Sequence, residues 1–526
     1  MKMKKIACAW VLSAAVTSAW AGGTLVFCTE ASPVGFDAAQ STAVASFNAS
    51  SYPVFDTLLA YKPGTTELMP SLAQKWDVSP DGKTYTFHLR PNVQFHTTDE
   101  FKPSRALQAE DVIFTFGRMI QKNHPSNRFY PAEYPYAVDM GLHSNIVSIK
   151  KIDALTVKFK LKQADAPFLS KLAVPFAVIH SVEYAQQLAK VGRLADLNQK
   201  PVGTGPFIFS SYAKDETIRY NANRAHWNPA AVKLDKLIFS IATDAAVRYQ
   251  KLQKGECDLM GMPNPADLVE MRANPDLKVV TTEGLNVGYV AYNLEKPKLN
   301  QREVRLALDM AINRQALVAA AYGDQAVVAS NPFPPSLWAY NTSLKNPPVD
   351  VAKAKALLAK AGYPMGFETE IWTTTLNKSW RTLAEMLQAD WAKIGVKANI
   401  VTLEWGEYLK RLNQGDHSIA LSSWTGDYAD PENFLNVLLT CKAVGGSNHA
   451  RYCSPEFDAL VNQAGSLTNQ AERTKLYEQA QVLFKHDLPW STLSHAVKTQ
   501  PLRKTVQGYS LSPFGGQDFR YVSKTQ

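Results

Sequence analysis

An exported α/β protein of two or three domains is what this sequence predicts, on three observations. Its first residues read as a cleavable leader, and its 526 residues exceed what a single core holds. From about residue 284 onward, strand-like and helix-like segments alternate, the pattern of an open α/β sheet.

The leader opens with "MKMKK", a cationic start, continues through the apolar "IACAWVLSAAV" and ends at Ala19-Trp20-Ala21, a small-x-small cleavage site. The apolar stretch is shorter than the roughly 18–20 residues a membrane-spanning helix needs. Cys8 lies near its start and no cysteine follows the cut, which argues against a lipid anchor. A signal peptide over residues 1–21 and a mature chain from near Gly22 are expected.

The elements follow in order. "TLVFCTE" (24–30) is a short buried-type strand, and "KTYTFHLRPNVQFH" (83–96) reads as two short strands around Pro91-Asn92. "QAEDVIFTFGRMI" (108–120) is an amphipathic helix with an acidic first turn, and "IDALTVKFKLK" (152–162) an alternating strand. "GTGPFIFSSY" (203–212) is a turn feeding a strand, and "TIRYNANRAHW" (217–227) continues it. "LNVGYVAYNL" (285–294) is a strand. The stretch 300–323 reads as one helix, with Val304, Ala307, Leu308, Ala311 and Ile312 as its stripe and Asn300 with Glu303 as a capping box. "DVAKAKALLAKAG" (350–362) is a helix with an Asp cap and a Gly stop. "FETEIWTTT", "VKANIVTLEW" and "SIALSSW" are strands, and "RTLAEMLQADWAKIG" and "AERTKLYEQAQVLFKHDLP" are helices. How often the chain crosses between domains is left open.

The formal charge of +9 falls by three once Lys2, Lys4 and Lys5 leave with the leader. No run of five or six cations marks a nucleic-acid surface, so the excess speaks for solubility. The mature chain keeps Cys28, Cys257, Cys441 and Cys453. An even count in an exported protein points to disulfides, in one of three pairings. Cys441–Cys453, closing a short Gly-rich loop, with Cys28–Cys257, tying the amino terminus to a distant segment, is preferred. The rival is a metal site, for which CxxC spacing is missing.

Catalytic signatures are sought and not found: no GxSxG, HExxH, GxxxxGK[ST], or GxGxxG ahead of a helix. "GTGPF" runs into Pro206 and an apolar strand, so it is a turn and not a phosphate cradle. His96 and Glu100 form the nearest approach to a ligand pair, a pattern usual for surface or core contacts. Asp427 and Asp430 suit glycosidase chemistry in principle, but flank a turn, with Asp430 before Pro431 as a helix cap. No metal and no cofactor are expected. What remains is "SWTGDYADPENF" (423–434), where Asp427 follows a strand end with no cation beside it in sequence. Strand ends of that kind are where open α/β sheets bind ligands.

The segments "PSLAQKWDVSPDGKTYTFHLRPNVQFH" with "ALQAEDVIFTF", "PVGTGPF", "ATDAAVRYQKLQKGECDLM", "GLNVGYVAYN", "REVRLALDMAINR", "AEMLQADWAKIGVKANIVTLEWGEYLKR" and "SWTGDYADPENF" run from about residue 24 to the carboxyl terminus. Together they resemble the exported solute-binding proteins of bacterial ABC importers for dipeptides, oligopeptides and nickel. The match is close to the dipeptide-binding branch and its haem- and glutathione-binding relatives. That resemblance implies a type II periplasmic binding protein, with two hinged lobes that close on the ligand and an extra inserted domain. It implies a first lobe from residues 22–56, 201–283 and 499–526, an inserted domain over 57–200 and a second lobe over 284–498. It also carries disulfides at the positions of Cys28–Cys257 and Cys441–Cys453.

In the dipeptide-binding branch the first acid of the last motif receives the peptide's α-ammonium group, and Asp427 is the matching residue. A buried ammonium needs a fixed counter-charge, because desolvating it unpaired costs several kcal/mol. Thr425 and Gly426 precede that acid, and Trp424 and Trp405 are expected to wall the pocket. The alternative for Asp427 is a turn-capping role in "GDYADP". The hydroxyl-rich "STAVASFNASSYPVFD" (41–56) is expected to supply hydrogen bonds to a ligand or to cap a helix. One departure stands out: the branch's longer loop, whose arginine grips the ligand carboxylate, is replaced by "WTTTLNKSWRT". Lys378 and Arg381 are the cations at hand. Lysine offers a point charge where arginine offers a fork, and Arg381 equally reads as a first-turn helix residue.

The expectation is therefore a periplasmic, monomeric binding component, not an enzyme. Its partners are a peptide-like solute and an inner-membrane ABC permease, with no nucleic acid. Glutathione or haem is the alternative ligand. An exported hydrolase and a folding or haem-handling chaperone are the readings from other classes.

Overall fold

The structure is a computed structural model that describes residues 23–129, 133–375 and 378–525; at positions 128, 129 and 378 it describes the backbone alone. The leader expected over residues 1–21 lies outside them. Among the described residues no helix is long and apolar enough to cross a membrane.

Two sheet halves are joined by one long strand, Trp490–Arg503. Its carboxyl-terminal half pairs antiparallel with Leu277–Glu283, from Glu283 opposite Val497 to Leu277 opposite Arg503. It also touches Leu259–Met260, which runs parallel to Thr24–Thr29. Beyond Thr24–Thr29 lie Lys236–Ile241, parallel to it, and then the antiparallel Thr217–Ala222 and Phe207–Ala213. The amino-terminal half of the long strand pairs with Asn286–Tyr292 and with Ala326–Val328. Asn286–Tyr292 pairs with Ile419–Thr425, whose start runs parallel to Glu368–Thr374, which in turn lies parallel to Lys397–Leu403.

The chain thus crosses between the two halves twice, once in the long strand and once at Gly284-Leu285. At the second crossing the Asn286 side chain stands in for backbone. Its Nδ2 donates to the Ala496 carbonyl (2.9 Å) and its Oδ1 accepts from the Ala496 N–H (2.6 Å). A backbone group buried there without a partner would cost as much as a lost hydrogen bond, so the amide keeps the ladder whole while the strand bends.

A separate four-stranded antiparallel sheet is built from Ala73–Val78, Thr84–Leu89, Thr156–Leu161 and Ile146–Asp153. It shares one apolar core with the amino-terminal sheet half, centred on Phe27, Phe87, Phe159, Phe168 and Phe239. The other half buries two cores, one on each face of its sheet, around Trp372 and Trp391 and around Phe434 and Trp490. Both preferred disulfides form: Cys28–Cys257 joins Thr24–Thr29 to the approach of Leu259–Met260, and Cys441–Cys453 closes the loop after helix Glu432–Leu439.

Several elements differ from expectation. Residues 93–96 are not a strand, because Val93 and His96 bond to Leu107 and Gly203 instead of a neighbouring strand. Residues 152–162 are a hairpin, because the Asp153 side chain accepts the Leu155 N–H (2.8 Å) and turns the chain. The single helix expected over 300–323 is two, Arg302–Ala311 and Arg314–Tyr322. The break is at Asn313, whose side chain accepts the Ala316 N–H and starts the second helix as an N-cap. The first begins after Gln301 without a side-chain cap, so the Asn300–Glu303 box does not form. "GTGPF" is the expected turn. A Cβ on Gly203 would stand 2.1 Å from the Val54 carbonyl oxygen, so the two glycines let this turn press against the end of helix Ser51–Val54.

Candidate ligand-binding site

The motif 423–434 begins as a strand and ends as a helix. Ile419–Thr425 runs out at the pair Thr425–Asn286, and the Gly426 N–H then donates to the Leu285 carbonyl (2.7 Å). Asn433, in the first turn of Glu432–Leu439, accepts on one oxygen from both the Asp427 N–H (3.0 Å) and the Trp424 indole N–H (3.1 Å). The Asp430 carboxylate accepts the Glu432 N–H (3.0 Å) and two bonds from Arg473 Nη2 (2.7 and 2.8 Å). Tyr428 points away and is buried, donating to Glu432. The turn is held at both ends, and the side chain left over is Asp427.

Asp427 looks into a cavity of about 310 Å³, near the lower end of the range usual for small-ligand sites. From its own side Thr425 and Gly426 join it there. The opposite wall is broad: Phe47, Tyr52 and Phe55 from the amino-terminal helices, Tyr136 and Val174 from the region of the four-stranded sheet, and Phe514 from the tail. The Tyr136 hydroxyl donates to Asp427 Oδ1 (2.9 Å), and its ring is stacked on Phe176 at 5.4 Å. Across the same gap the Ala429 N–H donates to Tyr61 Oη (3.0 Å). Burial raises the Asp427 carboxyl above its ordinary range; hydrogen bonds from Tyr136 and Asn433 pull it part of the way back, and the charge of Asp139 adds to the rise. No cation among the described residues lies against it.

The other charges at the cavity are committed. Arg520 is bound to Asp518 (2.8 Å) and lies 3.6 Å from Asp56. Asp56 is buried, yet its carboxyl is held below the usual range: burial pushes it up, and His226, Arg520 and the Trp227 N–H outweigh that. Lys62 is exposed and pairs with Glu67 (3.7 Å). Gly516 has a steric reason, since a Cβ there would stand 2.1 Å from the Tyr52 hydroxyl.

Of the residues singled out from sequence, Asp427, Gly426 and Thr425 line the cavity together. Trp424 stands one step behind them, tied to Asp427 through Asn433. Trp405 opens the helix Trp405–Gln414, 36% exposed and stacked on Tyr408 (5.9 Å), away from the cavity lining. Arg381 is exposed and ion-paired with Glu385 (2.6 Å), four residues on along its helix. Lys378 starts that helix, Lys378–Ala392, and its side chain lies outside the described residues. The stretch 41–56 does reach the cavity, with Val44, Phe47, Ser51, Tyr52, Phe55 and Asp56. Ser50 donates to the Ser46 carbonyl, and Ser51, at the cavity wall, donates to the Pro175 carbonyl (2.9 Å). Sequence reasoning missed Tyr136, Asp518 and Arg520. The only trace of the last two is the aromatic, glycine-rich tail "GYSLSPFGGQDFR".

Residues 67–446 match the model of the bacterial extracellular solute-binding proteins, family 5 Middle. Di/tripeptide-binding protein 1 of Pseudomonas aeruginosa is 49% identical over 516 residues, 97% of this chain and 96% of that protein. Heme-binding protein A of Haemophilus influenzae is 44% identical over 504 residues, 95% of this chain and 92% of that one. Among solved structures, HbpA2 from Haemophilus parasuis superposes with a TM-score of 0.92 at 41% identity, covering 96% of this chain and 100% of its own.

Proposed function

The chain belongs to the bacterial extracellular solute-binding proteins of family 5, and from that premise we propose that it captures short peptides in the periplasm and delivers them to an inner-membrane ABC permease. Asp427 receives the peptide's α-ammonium group. The observation that carries this is a half-buried carboxylate in a small cavity, held by a tyrosine and an asparagine and without a cation among the described residues. Such a group is a poor structural element, since nothing offsets its desolvation. It is a good receptor, since a ligand ammonium supplies the missing charge.

The lobes are assigned as 22–56, 201–283 and 499–526 against 284–498, with 57–200 inserted. Support comes from the four-stranded sheet lying wholly within 57–200, and from the crossings at Gly284 and near Val497. Closure then brings the broad aromatic wall onto the Asp427 turn. The protein works as a monomer and leaves its ligand intact. The name of the 49% identical relative supports di- and tripeptides as the ligand class.

The test is a thermal-shift screen of ligand-stripped protein with dipeptides, tripeptides, glutathione and haem, repeated on Asp427→Ala. A ligand at a hundred times its Kd adds about 2.7 kcal/mol to stability. Peptides are expected to stabilise the wild type and to be recovered uncleaved. The variant should lose about 2–5 kcal/mol of binding, the cost of truncating one partner of a buried charge pair. Peptide binding that survives Asp427→Ala unchanged removes Asp427 from the site. A response to haem or glutathione alone replaces the ligand class.

A further inference from the structure

Lys498 lies in the middle of the long strand Trp490–Arg503, opposite Thr282 and next to the second crossing. Residues two apart on a strand share a face, so Lys498 points the same way as Gln500. Gln500 in turn accepts from the Gln517 amide (2.9 Å), in the tail loop that floors the cavity. The ammonium itself sits against that loop: a Cβ on Gly515 would stand 3.5 Å from Lys498 Nζ, and the neighbours of Gly515, Phe514 and Gly516, both line the cavity. A Cβ on Gly284 would stand 3.4 Å from Lys498 Cε. The side chain is therefore half-buried between the crossing and the loop that floors the cavity, one layer behind the residues that line it.

Among the described residues this ammonium has no hydrogen bond and no ion pair, and burial is the whole reason its pKa falls below the ordinary lysine value. Among the described residues no carboxylate is near enough to counter it. That sets it apart from the cations that line the cavity, Arg520 with its two acids and Lys62 with Glu67. A desolvated cation without a partner costs the fold several kcal/mol. Asp427 presents the same imbalance with the opposite sign.

We infer that Lys498 receives the α-carboxylate of the bound peptide, reaching it past Gly515 in the loop that floors the cavity. This rests on the peptide reading above. The spacing fits. The Gly426–Leu285 hydrogen bond brings Asp427 level with Gly284, two residues along from Thr282, which faces Lys498. Asn286–Tyr292 lies between the two strands concerned. With strands about 4.8 Å apart and a rise of about 3.3 Å per residue, the two backbones stand on the order of 10 Å from each other. An extended dipeptide reaches about 7 Å and a tripeptide about 10 Å. The separation is thus on the scale of a short peptide.

The test is isothermal titration calorimetry of ligand-stripped protein with Ala-Ala and with its C-terminal amide, on the wild type and on Lys498→Met. The wild type is expected to bind the free acid at least tenfold more tightly than the amide. Lys498→Met is expected to bind both at the affinity of the amide, with a ligand-free melting temperature equal to or above that of the wild type. A variant that keeps the preference for the acid overturns the assignment. So does a wild type that binds acid and amide alike, a result that needs no variant and leaves the peptide reading standing. A wild type that binds neither form fails the peptide reading and takes the Lys498 assignment with it.

Discussion

Asp427 and Asp430 stand three residues apart in one turn, both drawn out of water, and they have opposite fates. Asp430 is locked to Arg473 by two hydrogen bonds, with side chains 3% and 7% exposed. The guanidinium is further covered by the Trp338 ring at 4.8 Å. Burial acts to lower the Arg473 pKa, but the Asp430 carboxylate outweighs it and keeps the arginine charged. Asp427 has a tyrosine and an asparagine and, among the described residues, no cation. The first acid is satisfied inside the chain and can only hold the turn. The second is left unsatisfied by the chain, and its partner has to come from outside. Lys498 and Arg520 repeat the contrast among the cations.

Breaking the satisfied pair gives the largest effect. Asp430→Ala leaves Arg473 buried without its counter-charge, at an expected cost of about 3–5 kcal/mol, measured by denaturant unfolding of the ligand-free protein. Loss of peptide binding in this variant should follow loss of the fold. A stable Asp430→Ala protein that fails to bind would move the receptor role from Asp427 to Asp430.

A second, intermediate effect sharpens the role of Tyr136. Its hydroxyl donates to the Asp427 carboxylate and so favours the ionised form. Hydrogen bonds to charged groups contribute about 1.5–3 kcal/mol. In Tyr136→Phe the Asp427 pKa, already raised by burial, rises further. Peptide affinity depends on the ionised carboxylate and falls as acidification protonates it. The pH at which affinity drops should therefore be higher in the variant than in the wild type, with affinity well above that pH changed least. Calorimetric titrations across pH check this; an unmoved acid limb would detach Tyr136 from the titration of Asp427.

The same contrast explains how much could be read beforehand. Asp427 drew attention because a strand end, a glycine and a missing cation stand together in twelve residues, while its receptor role came from the family resemblance and not from those features. The alternation after residue 284 likewise revealed Asn286–Tyr292, Glu368–Thr374 and Ile419–Thr425. The long strand was not legible. "WSTLSHAVKTQPLR" has no apolar run, yet Ser491, Thr492, Ser494 and His495 are buried. Their partners are some two hundred residues away: Ser491 donates to Asp309, and His495 Nδ1 meets the Asn286 carbonyl at 2.6 Å. A polar strand buried by distant partners leaves no local periodicity to detect. The cavity wall failed for a related reason. Tyr136, Phe514 and Asp518 come from short helices and coil, brought beside Asp427 only by the packing of separate regions. Trp405 shows the converse, a conspicuous residue in a recognisable segment that folds onto Tyr408 and away from the cavity.

The smallest effect is the most discriminating because its sign is opposite. Asp427→Asn keeps the shape and an oxygen to accept from Tyr136, and removes only the charge. In the ligand-free wild type the folded carboxyl titrates above its ordinary value near 3.8, so between those two values the folded state holds more protons than the unfolded one. Linkage then requires stability to fall as pH rises through that window, and to stay lower above it. The asparagine variant has no such loss. Its ligand-free melting temperature should match the wild type in acid and exceed it at neutral pH, by far less than Asp430→Ala loses. Ligand reverses the order, since peptide stabilises the wild type and not the variant. If Asp427→Asn instead destabilises the ligand-free protein at neutral pH, the carboxylate has a partner within the chain, and the two acids of the turn are alike after all.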